Sequence, residues 1–485
     1  MPRRSFAVAA ALLVCACGRG QQSPLELADS RIDALFSVPA GVQCIQLVAA
    51  GAKASVERFF GVTPGQSTFS FTLIGIPTGR VVFSGQAFAE TCGTISGALP
   101  TWIADDVTTT VSAGVPASVQ LNFHAKGNAN VSGNFGGDEY TVTTLAGVAG
   151  STGSVDGFGA GARLEGPNGI ALVGNFLYFI DRTQTDTVIG MTVRRLDVTT
   201  NQVITLAGNP GEVGAVDGDG LAARFGVLAG MAYSGGDLYL IDRCALRAMS
   251  TTPPYLVRTL IGTPDAAHTS FLCGPPSPFT NNLLDVAVRP NGIYVLDGSH
   301  AAVYRVDPGT LAVSLVAGTP DVSGTDDGTV LGATFSNPTG IVFPFRGDDI
   351  FCVADNVTDP TTLNRYGLIR RVSLPEDSVR AVAGGAEADF VDLDGLGLTA
   401  RFAQPRRMVS DGNGLFIGDA LAVRRLDLAI GTVVTIAGND TTAGSADGVG
   451  TAAGFRGAFG IARDAGTGKL YVADQGNATI RLLTP

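Results

Sequence analysis

Six aspartates close six similar short runs: YFID ending at Asp181, YLID at Asp242, YVLD at Asp297, CVAD at Asp355, FIGD at Asp419 and YVAD at Asp474. Gathered on one face, six carboxylates would form an acidic rim able to hold a cation, a sugar or a basic peptide. The same residue can instead accept backbone N–H bonds in its own tight turn, or pair with a nearby arginine such as Arg163, Arg224 or Arg401. Recurrence in every unit favours the scaffold role, because a binding site usually breaks symmetry. The asymmetric segments are the better places for a ligand: the loop 265–279 with Asp265 and His268, the insertion 356–366, and the loop 183–191. Three histidines complete the inventory. His124 lies in the N-terminal part, His268 in the odd third loop, and His300 just past Asp297. His268 and His300 could meet on the rim, although two solvated loop histidines satisfy the pattern more simply. The strings Asp217-Gly-Asp219 and Asp392-Leu-Asp394-Gly faintly suggest calcium loops, but they lack the glutamate that would close one. No cofactor is expected, with calcium the one candidate. There is no Ser-His-Asp order, no nucleophile elbow and no phosphate-cradling Gly-Lys-Ser/Thr.

These residues need elements to hold them, and the elements repeat. Runs ending TTLAG, ITLAG, RTLIG, SLVAG, RAVAG and VTIAG place glycines at 147, 208, 262, 318, 384 and 438, which are 61, 54, 56, 66 and 54 residues apart. A period of that length with four short β segments per unit marks a toroidal β array. Five of the loops share a gapless frame that starts at Asp156, Asp217, Asp327, Asp394 and Asp447, each followed by Gly. Seven residues on stand Arg163, Arg224, Thr334, Arg401 and Gly454, each followed by a large apolar residue: Leu164, Phe225, Phe335, Phe402 or Phe455. Eleven on come Pro167, Leu228, Pro338, Pro405 and Ala458, and fourteen on come Ile170, Met231, Ile341, Met408 and Ile461, opening the next strand. The third unit departs, with His268, Cys273 and three prolines between Gly262 and Asp285. A later strand of every unit carries arginine, in VRRL, LRAM, VYRV, IRRV, VRRL and IRLL.

Runs such as VTIAG…DGVGTAAGF…FGIARD…GKLYVADQGNATIRLL (434–483) resemble the NHL repeat. The likeness covers Tyr140 to Pro485 and weakens only in the third loop. It implies an all-β fold: a six-bladed NHL-type β-propeller in which the entering strand, 141–146, completes the last blade and leaves no open sheet edge. The two families of loops, one of them following the six aspartates, would then share one face.

The N-terminal third reads differently. Arg3, Arg4 and the apolar run 6–14 form a secretory leader too short to span a bilayer. Its end, Val14-Cys15-Ala16-Cys17, resembles a bacterial lipobox, which implies residues 1–17 as a lipoprotein signal peptide and lipidation of Cys17. Residues 18–30 are a polar tether. Residues 31–125 show the period-2 alternation of a small β-sandwich, resembling carboxypeptidase-regulatory or prealbumin-like modules, and 112–123 reads as its terminal hairpin. Residues 126–139 are a linker, and 140–485 the propeller. Cys44 with Cys92, and Cys244 with Cys273, are placed to bridge in an oxidising compartment, while Cys352 reads as a buried thiol.

The net charge of −11 argues against nucleic acid, whose phosphates demand clustered Lys and Arg. The function expected is a monomeric, membrane-anchored extracytoplasmic lipoprotein at the outer membrane or cell surface, binding a protein or carbohydrate through its loop face. The alternative is a propeller lyase or lactone hydrolase with a divalent metal in the central channel, which would need carboxylates from several blades to converge there.

Overall fold

The computed structural model describes residues 140–485 apart from 185–188, 275–277, 346–348, 359–364, 386–391 and 440, together with eight strands between Arg31 and Ala125 and some residues flanking them. The leader with Cys17, the tether and the linker lie outside the described residues. The chain divides into two compact units, Met1–Gly133 and Asn134–Pro485.

Among its described residues the first unit contains two sheets. One runs Ser55–Gly61, Cys44–Gly51, Gly79–Phe88, Trp102–Val111, Phe123–Ala125, antiparallel throughout. Alternation sets its inner face: Ile45, Leu47 and Ala49 are buried while Gln46 and Val48 are partly exposed. The other sheet places Arg31–Ser37 between Thr68–Ile74 and Ala117–Gln120. Residues 112–116 and 121–122 of the expected hairpin lie outside the described residues. Ala117–Gln120 pairs parallel with Arg31–Ser37, and Phe123–Ala125 pairs with Trp102–Val111. Cys44 is disulfide-bonded to Cys92.

Among the described residues, the second unit holds six antiparallel sheets with four main strands each in meander order, and one small ribbon that pairs Thr263–Pro264 with Phe271–Leu272. Sheet one comprises Pro167–Val173, Phe176–Gln184, Ile189–Asp197 and Gln202–Asn209. Sheet two comprises Leu228–Ser234, Asp237–Asp242, Ala245–Ser250 and Leu256–Ile261, and sheet three Leu283–Arg289, Gly292–Asp297, Ala302–Val306 and Val313–Ala317. Sheet four comprises Pro338–Val342, Ile350–Thr358, Arg365–Ser373 and Ser378–Ala383, and sheet five Pro405–Ser410, Gly414–Asp419, Ala422–Asp427 and Thr432–Gly438. Sheet six takes Ala458–Arg463, Leu470–Asp474 and Thr479–Thr484 from the end of the chain, and its fourth strand is Thr141–Ala146 from the start of the unit, with Thr143 opposite Leu482.

Packing follows from burial on both faces. The second strands GIYVLD, GLFIGD and LYVAD are buried at every residue, so they read as continuous apolar runs and not as alternating ones. The first strand of each sheet packs on the first strand of the next, and that of sheet six packs on that of sheet one. Glycine permits this approach. A Cβ at Gly340 would stand 2.0 Å from the Arg406 carbonyl oxygen, and one at Gly460 would stand 2.4 Å from that of Asn168. Between neighbouring sheets lie the large apolar residues of the loop frame. Phe225, Phe335, Phe402 and Phe455 each join a core shared by two sheets, and Leu164 does the same between sheets six and one. Each buries about 1.5–3 kcal/mol of apolar surface. Between sheets two and three that place falls to Phe271 and Phe279.

Candidate functional site

The six strand-ending aspartates do not form a solvent-facing rim. All six are fully buried. Asp181 accepts from the Glu165 and Gly166 N–H groups at 3.1 and 3.0 Å and from Arg194 Nη1 at 2.7 Å. Strand alternation sends Arg194 inward, while its neighbour Arg195 stacks on Phe176. Arg194 Nη2 continues to Asp156 at 2.9 Å. One buried guanidinium thus clamps the strand end to the Asp-Gly loop. The unit recurs with Arg247 between Asp242 and Asp217 (2.9 and 2.8 Å), Arg370 between Asp355 and Asp327 (3.6 and 2.8 Å), and Arg481 between Asp474 and Asp447 (3.1 and 2.8 Å). In sheet five Arg424 meets three carboxylates: Asp392 at 3.0 Å, Asp394 at 2.8 Å and Asp419 at 3.7 Å. Four of these arginines lie over the loop aromatic, 4.8 to 5.5 Å from Phe225, Phe335, Phe402 or Phe455. The carboxylates that suggested calcium, at Asp217, Asp392 and Asp394, are held by Arg247 and Arg424.

The sequence pointed to the wrong arginines as partners. Arg163, Arg224 and Arg401 turn back to carbonyls of their own loops, at Ala160, Leu221 and Leu398. Arg, Thr and Gly all occur at that position, because the bond common to all five is made by its backbone carbonyl. The carbonyls of Arg163, Arg224, Thr334, Arg401 and Gly454 each accept from the buried arginine at 2.7 to 3.1 Å. Burial pushes the Asp242 and Asp474 carboxyls upward against the pull of their arginines, and pushes Asp355 to about 6. Asp419 is held well above the usual carboxylate range by burial, with the Asp392 charge beside it adding to the effect.

Sheet three is built another way. Tyr304 stands where the other sheets carry the buried arginine, and no Asp-Gly loop faces it. Asp297 accepts instead from the Thr280 N–H at 2.8 Å, the Thr280 hydroxyl, and the Ser299 and His300 N–H groups at 3.1 Å each. His300 Nδ1 lies 2.9 Å from the Tyr304 hydroxyl and 3.4 Å from Asp297, and burial together with Asp297 and Asp321 pushes Tyr304 up to about 12. His268 is exposed on a turn whose carbonyl receives the Ala215 N–H, and Asp265 caps that turn through Thr269 and Ala267, bonds that hold its carboxyl low. No contact joins His268 to His300. The loop is tied down by a Cys244–Cys273 disulfide. Cys352 is a free, fully buried thiol pushed up to about 12, and therefore inert as a nucleophile.

The departure from symmetry that the sequence reading missed lies where the first strands meet. Thirteen residues after each frame aspartate stand Gly169, Gly230, Gly340 and Gly460, but sheet five has Arg407 there, and the matching place in sheet three is Asp285. Arg407 Nε bonds Asp285 at 3.1 Å, Nη2 the Leu284 carbonyl at 2.9 Å, and Nη1 the Asn168 Oδ1 at 2.7 Å. One side chain therefore links sheets five, three and one. Asp285 also accepts the Ile341 N–H of sheet four at 3.1 Å. Beside it the half-buried Arg406 lies over the Phe459 ring of sheet six, 4.3 Å from its centroid, and burial and Arg407 push its guanidinium down. Asn356 of sheet four donates to Thr339 Oγ1 and the Pro405 carbonyl, both at 2.9 Å. At this end of the sheets, strand two runs past its aspartate in sheets one and four, to Gln184 and Thr358, whereas it stops at the aspartate in the other four. Among the described residues, no three His, Cys, Asp or Glu side chains converge as a metal site would need.

No protein-family model matches the chain, and no curated protein matches it. Solved structures do. A protein of unknown function from Bacteroides thetaiotaomicron is 19% identical, with a TM-score of 0.53 over 91% of this chain and 90% of that one. An auxiliary nutrient binding protein from Bacteroides ovatus aligns at 15% identity and TM-score 0.46 over 96% of this chain and 100% of that one. Another from Bacteroides thetaiotaomicron aligns at 14% and 0.46, over 90% of each. The first of these shows a shared all-β fold.

Proposed function

We propose that the six sheets are the blades of an NHL-type propeller, closed by Thr141–Ala146, and that the chain is an extracytoplasmic lipoprotein binding a carbohydrate or protein ligand at the end where the first strands begin. The residues of the leader support a lipid on Cys17, and the N-terminal unit, read as a sandwich, serves as the spacer. The observation that carries the binding role is the break in symmetry at that end. Buried Arg–Asp clamps repeat around the array, but Arg406, Arg407, Asp285 and Asn168 occur once. The prolonged hairpins of sheets one and four stand three places apart in a circuit of six, on opposite sides of those residues. The enzymatic alternative gains no such support: the first strands contribute one buried carboxylate, Asp285, and Arg407 already occupies it.

Capture from envelope extract tests the role. The bait is the full chain with Cys17→Ser, compared with a version whose 356–366 hairpin is shortened and with Arg258→Gln on a distant strand. Loss of the captured partner in the hairpin variant alone is the expected result. Equal capture by all three, or none by any, would reject the binding face.

A further inference from the structure

We propose that the free edge of the fourth strand of sheet three, Val313–Ala317, receives an extended segment of a partner protein by strand addition, and that this segment carries an apolar residue opposite Leu315. The surface is separate from the end where the first strands begin and does not depend on the binding role assigned there.

The other five sheets show what such an edge takes. In sheet one a two-residue strand of the preceding loop sets Gly157 opposite Val203, and sheets two, five and six repeat the pairing. In sheet four Gly328 bridges Val379. The frame aspartate ahead of that glycine then accepts the N–H two residues further along the edge, that of Thr205 in sheet one, and it does so in four of the five sheets. Register places Val313 and Leu315 where Val203 and Thr205 stand. Among the described residues no strand pairs with Val313 or Leu315 from that side. Burial agrees. The five valines that match Val313 are at most 1% exposed, whereas Val313 is only partly buried. The third loop is ill suited to cover the edge, since its Pro275, Pro276 and Pro278 have no N–H to give to a ladder. Unpaired backbone groups beside a partly exposed valine are a template for another strand.

Two residues define the side chain that fits. In sheet one the frame aspartate docks on Arg194 and the Thr205 hydroxyl, and the same pair of donors recurs in sheets two, five and six. In sheet three these two places hold Tyr304 and Leu315, opposite each other on neighbouring strands. The Tyr304 hydroxyl is already bonded to His300, and its ring meets Phe279 edge to face at 5.9 Å. A carboxylate set there would lose water and gain no donor from either side chain, so the incoming residue is apolar. The chain itself is a poor source of the segment. Its four two-residue loop strands are each engaged on their own sheets, and a charge of −11 on every copy opposes pairing of the edge with itself.

Calorimetry and hydrogen exchange on the full chain decide the matter, with peptides copied from residues 445–453, whose short strand covers sheet six. One carries Asp447→Val, one is unaltered, and one carries Asp447→Val with Gly448→Pro, which removes the N–H that would face Val313. The Asp447→Val peptide should bind and slow exchange at the Val313 and Leu315 amides. The other two should bind about ten- to hundredfold more weakly, the cost of an unpaired group in a closed contact. Tyr304→Arg with Leu315→Thr restores the donors of the other sheets and should reverse the preference toward the unaltered peptide. Should that double variant melt well below the parent, Leu315→Thr alone should still narrow the preference. The chain with the shortened 356–366 hairpin should bind the peptides as the parent does, which separates failure here from failure of the end where the first strands begin. No slowing at Val313 and Leu315, equal binding of the proline peptide, a preference unmoved by the substitutions, or loss of binding with the hairpin would overturn the inference. Slowing that grows with chain concentration in the absence of peptide would assign the edge to a second copy and overturn it as well.

Discussion

Sheet three and the other five solve one problem in two ways. In five sheets a buried arginine holds the strand-ending aspartate and the aspartate of the preceding loop, and lies over the loop aromatic in four of them. In sheet three Tyr304 stands in place of the arginine, and the loop aspartate that the arginine would hold is absent from the sequence as well. The surviving Asp297 turns to Thr280 and nearby N–H groups, and the freed loop is fastened by Cys244–Cys273. The arginine and the loop aspartate are thus lost together, while the strand-ending aspartate stays and finds neutral donors.

The comparison breaks most visibly on removal of a clamp. Arg247→Met strands Asp242 and Asp217 and should cost about 3–5 kcal/mol in denaturant unfolding. Arg305→Met in sheet three, a partly exposed arginine that bonds the Asn291 carbonyl, should cost under about 1 kcal/mol. Similar costs for the two would mean that the clamps are not what holds the five sheets. Next in size is the substitute fastening. Replacing Cys244 and Cys273 by serine opens a loop of 29 residues and should cost about 3 kcal/mol, with loss of protection from hydrogen exchange confined to sheet three and its loop.

The third test uses pH. Burial raises Asp355 from 3.8 to about 6, so the folded chain binds that proton more tightly than the unfolded chain does. Its contribution is therefore fully present below pH about 4 and is lost as pH rises through about 6. The stability of the parent relative to Asp355→Asn should fall by on the order of 2–3 kcal/mol between those limits. A difference independent of pH would show that Arg370 holds the carboxylate ionised throughout. The smallest effect is expected at the variable frame position, since Thr334→Ala keeps the carbonyl that Arg370 uses and loses mainly the hydroxyl bond to the Asp326 N–H, costing about 1 kcal/mol.

Much of this scaffold was legible in the residues. The frame placed five of the first strands, opening them at Ile170, Met231, Ile341, Met408 and Ile461, three residues after their starts at Pro167, Leu228, Pro338, Pro405 and Ala458, because fixed spacing and an apolar anchor leave little freedom. Partner choice was less legible. Arg163 and Arg194 are equally arginine in sequence, and only strand alternation decides which points inward. The cluster at Arg407 was hidden because its members, Asn168, Asp285 and Arg407, lie 239 and 122 residues apart. A signal was present all the same, in the glycine column that fails at Arg407 and at Asp285.

Every placement in the second unit depends on the first and last strands meeting in one sheet. Thr143→Cys with Leu482→Cys sets two thiols opposite each other across that junction. Mild oxidation of the full chain should yield a near-complete intramolecular 143–482 disulfide, mapped by peptide mass spectrometry, together with a higher melting temperature. Thiols that stay free, or that bridge only between molecules, would contradict a circuit of six sheets.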